Sequence, residues 1–130
     1  MAKWANTAFL DGGLNYLKSN GVWLRVIKTY ATGDSHATVV TNTVAKVALT
    51  TGSYTISTTG TYNRKIVTAT GSATATSSTT GASPDLHFAI TTSTGTAAVL
   101  WVTDETSNQP ITSGNTVNFP ALTYKSLRPT

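Results

Sequence analysis

The sequence predicts a mainly β domain, an antiparallel β-sandwich or partly open barrel with one N-terminal α-helix. Threonine, which favours strands, occurs 28 times in the 130 residues, whereas charged residues make up only 11%. Short apolar or alternating segments recur about every 8–12 residues with turn-forming residues between them, and no regular alternation of strands with helices interrupts them. A chain of this length buries enough surface to fold as one domain without disulfides, and it contains no Cys.

The predicted single domain, residues 1–130, consists of an N-terminal arm and helix over about 1–20 and a β region over about 22–128. The helix itself is expected over roughly residues 6–19, because three leucines repeat at i, i+4 and i+7: Leu10, Leu14 and Leu17. Asn6 is the candidate N-cap, and Gly21 is expected to end the helix in the left-handed conformation. The pair Gly12-Gly13 leaves two interpretations open: a weak or kinked helix, or close approach of the helix to its own sheet or to a partner protein.

The rest of the chain is predicted to form strands. Residues 22–27 are apolar on both faces, so we expect a central strand with the helix covering one side. The alternating segments 62–67 and 86–90 are expected to be half-buried, whereas 98–103 is expected to be buried on both faces. Further strands are expected at 38–41, 44–49, 53–56, 117–119 and 122–124, with another around Ile111.

A stretch of biased composition, Thr68 to Ser83, reads TATGSATATSSTTGAS. Small and hydroxyl-bearing residues of this kind are typical of a solvated loop. The alternative is a flat edge strand followed by a mobile loop, and an uncovered edge of low charge is a template for pairing with another chain.

Residues that could carry catalysis are few, and their spacing matches no catalytic motif. Asp34-Ser35-His36 contains the residue types of a triad, but consecutive strand residues point to alternate faces, so we interpret it as a polar turn. His87 is expected to be an outward-facing strand residue, and Asp104-Glu105 a solvated hairpin end. Zinc, calcium, phosphate-loop and dinucleotide motifs do not occur. We therefore predict a protein that is not an enzyme, with no catalytic residue, no cofactor and no metal ligand.

Charge and hydropathy argue against two classes of partner. The net charge is +4, but the nine Lys and Arg residues are dispersed along the chain, which makes nucleic-acid binding unlikely. The longest apolar run, 97–102, is too short to cross a membrane. The N-terminal residues lack a secretory signal and there is no Cys, so we expect the chain to remain in a reducing compartment where it is made.

The three tryptophans suggest a different possibility, carbohydrate binding, because indole rings stack on sugars. Trp23 and Trp101 lie in apolar segments, however, and are expected to pack in the core. Trp4 precedes the predicted helix and is expected to act as a hydrophobic staple or as an anchor in a partner.

Segments near both ends of the chain carry a family resemblance. They are AFLD at 8–11 with LNYLKSN at 14–20, and VLWVT at 99–103 with ITSGNTVNFP at 111–120. Together they resemble small virion proteins of tailed bacteriophages, some of which are decoration or cement proteins on the capsid exterior. The stretch 68–83 departs from that pattern.

The resemblance implies a non-enzymatic capsid decoration protein that binds the major capsid protein and stabilises the shell. It further implies a homo-oligomer, most simply a trimer, made in the bacterial cytoplasm and located on the virion surface. Candidate partner-binding residues are two aromatic side chains near the N-terminus and the polar edge segment: Trp4, Phe9, Ser72, Ala73 and Thr74. Deleting residues 1–8 is expected to abolish shell binding. Two alternatives remain: a carbohydrate- or receptor-binding β-sandwich module, and a head–tail connector or tail component.

Overall fold

The computed structural model describes residues 5–60, 63–105, 107 and 109–127, apart from the side chains of Thr7 and Phe9. The elements in this part of the chain are α1 Thr7–Asn20, β1 Trp23–Ile27, α2 His36–Thr41, β2 Thr43–Ala48, a 3-10 turn Thr51–Ser53, β3 Tyr54–Thr59, β4 Asn63–Thr68, β5 Gly71–Thr74, β6 His87–Thr91, β7 Val99–Asp104, β8 Thr116–Phe119 and β9 Thr123–Ser126. The strands form three open antiparallel sheets, with the orders β2-β1-β6-β7, β3-β4-β9 and β5-β8. The predicted mainly β class with an N-terminal helix is confirmed. Neither helix in the described residues is long and apolar enough to cross a membrane.

The central position predicted for the first strand is correct. Strand β1 pairs with β2 on one side and β6 on the other, and its last four residues are buried. Because side chains alternate along a strand, Leu24 and Val26 face the main core, whereas Ile27 faces a smaller cluster with Val39 and Ala89.

The main core lies between the four-stranded sheet and a layer made by α1 and the other two sheets. Helix α1 packs on the three-stranded sheet, mainly against β4. Its leucines Leu14 and Leu17 belong to the main core, as the i, i+4, i+7 spacing predicts. Asn6 caps the helix as expected, because its side-chain oxygen accepts a hydrogen bond from the Ala8 amide at 2.8 Å.

The left-handed ending predicted for α1 is wrong. Gly21 has φ −78°, which any residue adopts. A β-carbon there would lie 2.7 Å from Ile90 Cγ2 and 2.9 Å from the Leu17 carbonyl oxygen, and would also clash with the Tyr54 hydroxyl. Glycine is needed at this position because the chain passes close to its neighbours, and not because the backbone is left-handed.

The strand predicted at 38–41 is the helix α2. Ser35 is its N-cap, and the Ser35 hydroxyl oxygen accepts a hydrogen bond from the Thr38 amide at 3.2 Å. Val39 is 1% exposed against the four-stranded sheet, so capping and burial together outweigh the strand preference of its β-branched residues.

Three other predictions about strands also fail. Strand β6 was expected to be half-buried, yet positions 88–91 are buried because both faces are covered: Phe88 and Ile90 face the main core, and Ala89 faces the smaller cluster. Strand β7 was expected to be buried on both faces, yet it is an edge strand of intermediate exposure. Ile111 lies outside the strands, where its carbonyl accepts a hydrogen bond from the Thr79 amide at 2.9 Å.

The stretch 68–83 contains an edge strand, as one of the two interpretations predicted. Strand β5 pairs with β8, and the chain after it runs along the outer edge of β2, where the Thr76 amide donates to the Val44 carbonyl at 2.8 Å. The solvated-loop interpretation is therefore wrong for residues 71–74, whereas residues 75–79 form a loop that backbone hydrogen bonds hold as far as Thr79.

Candidate functional site

An apolar groove lies where α1 meets the outermost strands of two sheets, β7 and β9. Its volume is about 320 Å³. The lining residues come from all three elements: Gly13, Leu14, Tyr16 and Leu17 of α1, Val99, Leu100 and Trp101 of β7, and Tyr124 of β9. We call this surface the aromatic groove.

The aromatic rings of the groove are held in a defined arrangement while staying accessible. Trp101 meets Tyr124 edge-on, with ring centroids 5.5 Å apart and planes at 74°. Trp101 also packs against the main core, so it is half-buried and not fully buried as the sequence suggested. Tyr16 is 55% exposed and Tyr124 48% exposed. Rings with an apolar body and a polar tip are enriched at protein interfaces, so this is the composition of a binding surface.

The glycine pair of α1 faces away from its own sheet. A β-carbon at Gly12 or Gly13 would meet nothing within 4 Å. Close approach of the helix to its own sheet is therefore excluded as the reason for these glycines. Gly13 lines the groove, so a weak helix and close approach of a partner remain as explanations.

Two strand edges flank the groove. In the described residues, β7 pairs only with β6, and β9 pairs only with β4. The outer edge of each strand offers backbone donors and acceptors to an extended segment of another chain.

An ion pair fixes α1 on the three-stranded sheet. Arg64 of β4 donates two hydrogen bonds to the carboxylate of Asp11, at 2.7 and 3.1 Å, and a third to the Thr58 hydroxyl at 2.8 Å. The hydrogen bond to Asp11 raises the pKa of the Arg64 guanidinium. This bidentate contact holds the helix that forms one side of the groove.

A second, polar cleft lies between the β5-β8 sheet and the chain that follows β7. Its volume is about 660 Å³, and Ser72, Asn118 and Glu105 contribute polar groups to it. Phe88 and Phe119 lie at its base but are only 5% and 2% exposed, so their rings offer no free face for stacking. This cleft and the aromatic groove share no lining residue, so the polar groups and the exposed aromatic rings lie in different places.

The partner-binding residues expected from the sequence are only partly described. Trp4 and the side chain of Phe9 lie outside the described residues, although the Phe9 backbone is part of α1. On β5, Ser72 and Thr74 are exposed, whereas Ala73 packs against the main core. None of these three β5 residues lines the aromatic groove. The groove itself was missed, because its Trp101 was assigned to the core.

The Asp34-Ser35-His36 segment bonds to backbone groups, which fits the polar turn expected there. The Asp34 carboxylate accepts a hydrogen bond from the Ala31 amide at 2.9 Å, and Ser35 caps α2. The ring nitrogen Nε2 of His36 lies 3.4 Å from the Thr92 carbonyl oxygen. The three side chains thus stabilise the turn and the start of α2 through contacts with backbone groups.

His87 is not the outward-facing residue that the sequence suggested. Its side chain is 16% exposed, its ring lies 5.9 Å from that of Tyr30, and its Nε2 lies 3.9 Å from Asp104 Oδ1. The donor atoms of Asp85, His87 and Asp104 all lie within 4.8 Å of one another. Sequence reasoning missed this cluster, because it depends on the pairing of His87 with Asp104 between β6 and β7 and on the course of the chain just before β6.

Two basic residues of the four-stranded sheet were also missed. Arg25 is 5% exposed, and it donates hydrogen bonds to the hydroxyls of Thr91 at 3.0 Å and Thr43 at 3.3 Å. Burial lowers the pKa of its guanidinium. Lys46 lies 4.1 Å from the ring centre of Trp23, which is half-buried and not in the core as expected.

Comparison of the chain with family models, with curated proteins and with solved structures found no match. Its function is therefore inferred from its own residues and geometry.

Proposed function

We propose that the protein is a non-enzymatic structural protein of a tailed-phage virion, a decoration protein that binds the outer surface of the head and stabilises the shell. The observation that carries the proposal is the aromatic groove flanked by two strand edges that pair with no other strand among the described residues. The segments that resemble virion proteins contribute to this surface, since 14–20 includes Tyr16 and 99–103 includes Trp101.

The proposed partner is an extended segment of the major capsid protein. Such a segment adds to the outer edge of β7 through main-chain hydrogen bonds and places apolar side chains between Trp101 and Tyr16. Each buried aromatic ring removes roughly 150–250 Å² from water, so a few rings supply most of the attachment.

Oligomerisation strengthens this attachment. A trimer that contacts several capsid subunits at once converts modest single contacts into firm binding, because the second and third contacts form at high effective concentration. The protein is made in the bacterial cytoplasm and is then located on the capsid surface.

The test uses the groove variants Tyr16→Ala and Tyr124→Ala, since both side chains are about half exposed and their removal leaves the core intact. Binding is measured by cosedimentation with phage heads from which the protein has been removed. Each variant is expected to weaken binding about tenfold or more, as loss of an interfacial aromatic anchor does.

Val40→Ala is the matched control, because Val40 is also an exposed apolar residue, at 39%, but lies on α2 and does not line the groove. It should bind like the wild type. Wild-type protein that fails to bind heads, or groove variants that bind as well as the control, would contradict the proposal.

The polar cleft favours a second candidate, a carbohydrate- or receptor-binding module. The Asn118 amide and Glu105 carboxylate are groups that bind sugar hydroxyls, but the cleft offers no exposed aromatic ring. Glycan-array binding that is lost in Asn118→Ala and kept in Tyr124→Ala would favour this function. A head–tail connector or tail component shares the virion setting and differs in copy number.

A further inference from the structure

Three potential metal ligands meet at one end of the four-stranded sheet. His87 opens β6 and lies directly opposite Asp104, the last residue of β7. Asp85 lies two residues before His87, in the segment that leads into β6. The ligand atoms of all three residues lie within 4.8 Å of one another.

The imidazole of His87 is oriented in the way that metal-binding histidines are. Its Nδ1 lies 3.3 Å from the backbone carbonyl oxygen of Asp85, and donation of the Nδ1 proton to that oxygen leaves the Nε2 lone pair free. Nε2 lies 3.9 Å from Asp104 Oδ1, which is too long for a hydrogen bond. The ring of Tyr30, 5.9 Å away, packs beside the imidazole.

Asp85 and Asp104 differ from the other acidic residues of the chain in their partners. The chain has five Asp and Glu residues. Three of them have structural partners: Asp11 pairs with Arg64, Asp34 caps the Ala31 amide, and Glu105 accepts from the Ser107 amide. Among the described residues, the Asp85 carboxylate has no hydrogen bond or ion pair, and that of Asp104 faces His87 alone. The carboxylates of Asp85 and Asp104 thus converge on one imidazole.

We propose that Asp85, His87 and Asp104 bind a divalent transition-metal ion, with Zn²⁺ as the reference ion. One imidazole nitrogen and two carboxylate oxygens are ligands that Zn²⁺ accepts, and two carboxylates balance its charge. A tetrahedral Zn²⁺ with bonds of about 2.0–2.2 Å needs its ligands roughly 3.3–3.5 Å apart.

The two aspartates can reach this spacing without disturbing the core. Asp85 is exposed and the Asp104 side chain is 64% exposed, so both can rotate towards the half-buried His87. The fourth position is open to water or to a ligand from a partner. This site does not depend on the proposed function, because it shares no residue with the aromatic groove.

The test is calorimetric titration of the full-length protein, free of any histidine tag, with ZnCl₂. One Zn²⁺ per chain is expected to bind the wild type, and Asp104→Asn and His87→Asn are each expected to lower the affinity at least about tenfold. Asp104→Asn changes an exposed residue at the end of a strand, so it keeps the test valid even if His87→Asn fails to fold.

His36→Asn is the matched control, since it removes the other histidine, which lies on α2 and bonds to the Thr92 carbonyl. It should leave the Zn²⁺ affinity unchanged. Ca²⁺, which takes about six to eight oxygen ligands, should not bind. Absence of Zn²⁺ binding by the wild type, or equal affinity in Asp104→Asn and wild type, would overturn the proposal.

Discussion

A single hydroxyl joins the end of α1 to the first strand of the three-stranded sheet. Tyr54 is 3% exposed, and its hydroxyl donates a 2.8 Å hydrogen bond to the Gly21 carbonyl. The same hydroxyl fills the space where a side chain at residue 21 would lie, so Tyr54 at its position requires glycine at position 21. Burial raises the pKa of Tyr54 above its ordinary value of 10.0.

This pKa shift predicts a loss of stability in alkali. Above pH 10 the unfolded chain releases the Tyr54 proton while the folded chain keeps it. The contribution of Tyr54 to the free energy of unfolding is therefore complete below pH 10. It falls by up to about 1.4 kcal/mol for each pH unit above 10, until the pH reaches the pKa of Tyr54 in the folded protein. Tyr54→Phe should lose about 1–3 kcal/mol near neutral pH, because the buried Gly21 carbonyl loses its donor, and should decline less in alkali.

Urea unfolding at about pH 8 and about pH 11 measures both effects. The control is Tyr16→Phe, since Tyr16 is 55% exposed. An alkaline decline that is equal in Tyr54→Phe and in the wild type would contradict this account of Tyr54.

Individual core residues were predictable from the sequence, whereas residues at sheet edges were not. Leu14, Leu17 and the continuous apolar run of β1 identify buried positions through the local sequence pattern alone. Whether Trp101 is in the core or at a groove depends on β7 being outermost in its sheet, and strand order is not encoded in the local pattern of β7. The His87 and Asp104 cluster was missed for a related reason, since it needs the register between two strands.

At the scale of the elements, α1 combines a buried apolar face with an open glycine pair. The i, i+4, i+7 leucines dock the helix, and the Asp11–Arg64 contact fixes its orientation. Gly12 and Gly13 contribute nothing to this packing, because both face open space. They weaken the helix without a compensating contact inside the chain.

Gly12→Ala and Gly13→Ala are therefore each expected to stabilise the protein by roughly 0.5–1 kcal/mol, measured as the free energy of unfolding in urea. Their effects on head binding should differ. Gly13 lines the aromatic groove and Gly12 does not, so Gly13→Ala should weaken binding while Gly12→Ala leaves it unchanged.

Equal binding by both variants would favour the simpler interpretation, a helix that is merely weak. Destabilisation by either substitution would contradict the open space around these glycines.

Elements that form because of the local spacing of apolar residues were predicted well, whereas an element that depends on a capping residue and on burial was predicted poorly. The strands paired in the four-stranded sheet follow apolar patterns that the sequence shows directly. Helix α2 consists largely of β-branched residues, and its formation depends on the Ser35 cap and on the burial of Val39 under a sheet. That sheet is assembled from distant segments, so a local pattern does not reveal it.

At the scale of the molecule, the four-stranded sheet separates two surfaces. Trp101 and Asp104 are three residues apart on β7, so their side chains point to opposite faces of the sheet. The aromatic groove lies on the side of the main core, and the His87 cluster lies on the other side beside Tyr30. Attachment to a shell and metal binding therefore use separate surfaces, and variants of one should leave the other intact.

The copy number of the protein in the virion is the first quantity to measure, because we propose that the protein decorates a phage head. Quantitative mass spectrometry of purified virions from the source of the protein compares its abundance with that of the major capsid protein. A decoration protein is expected at hundreds of copies per particle, in a fixed ratio to the capsid subunits. A few copies per particle would indicate a connector or tail component, and absence from the particle would contradict the virion assignment.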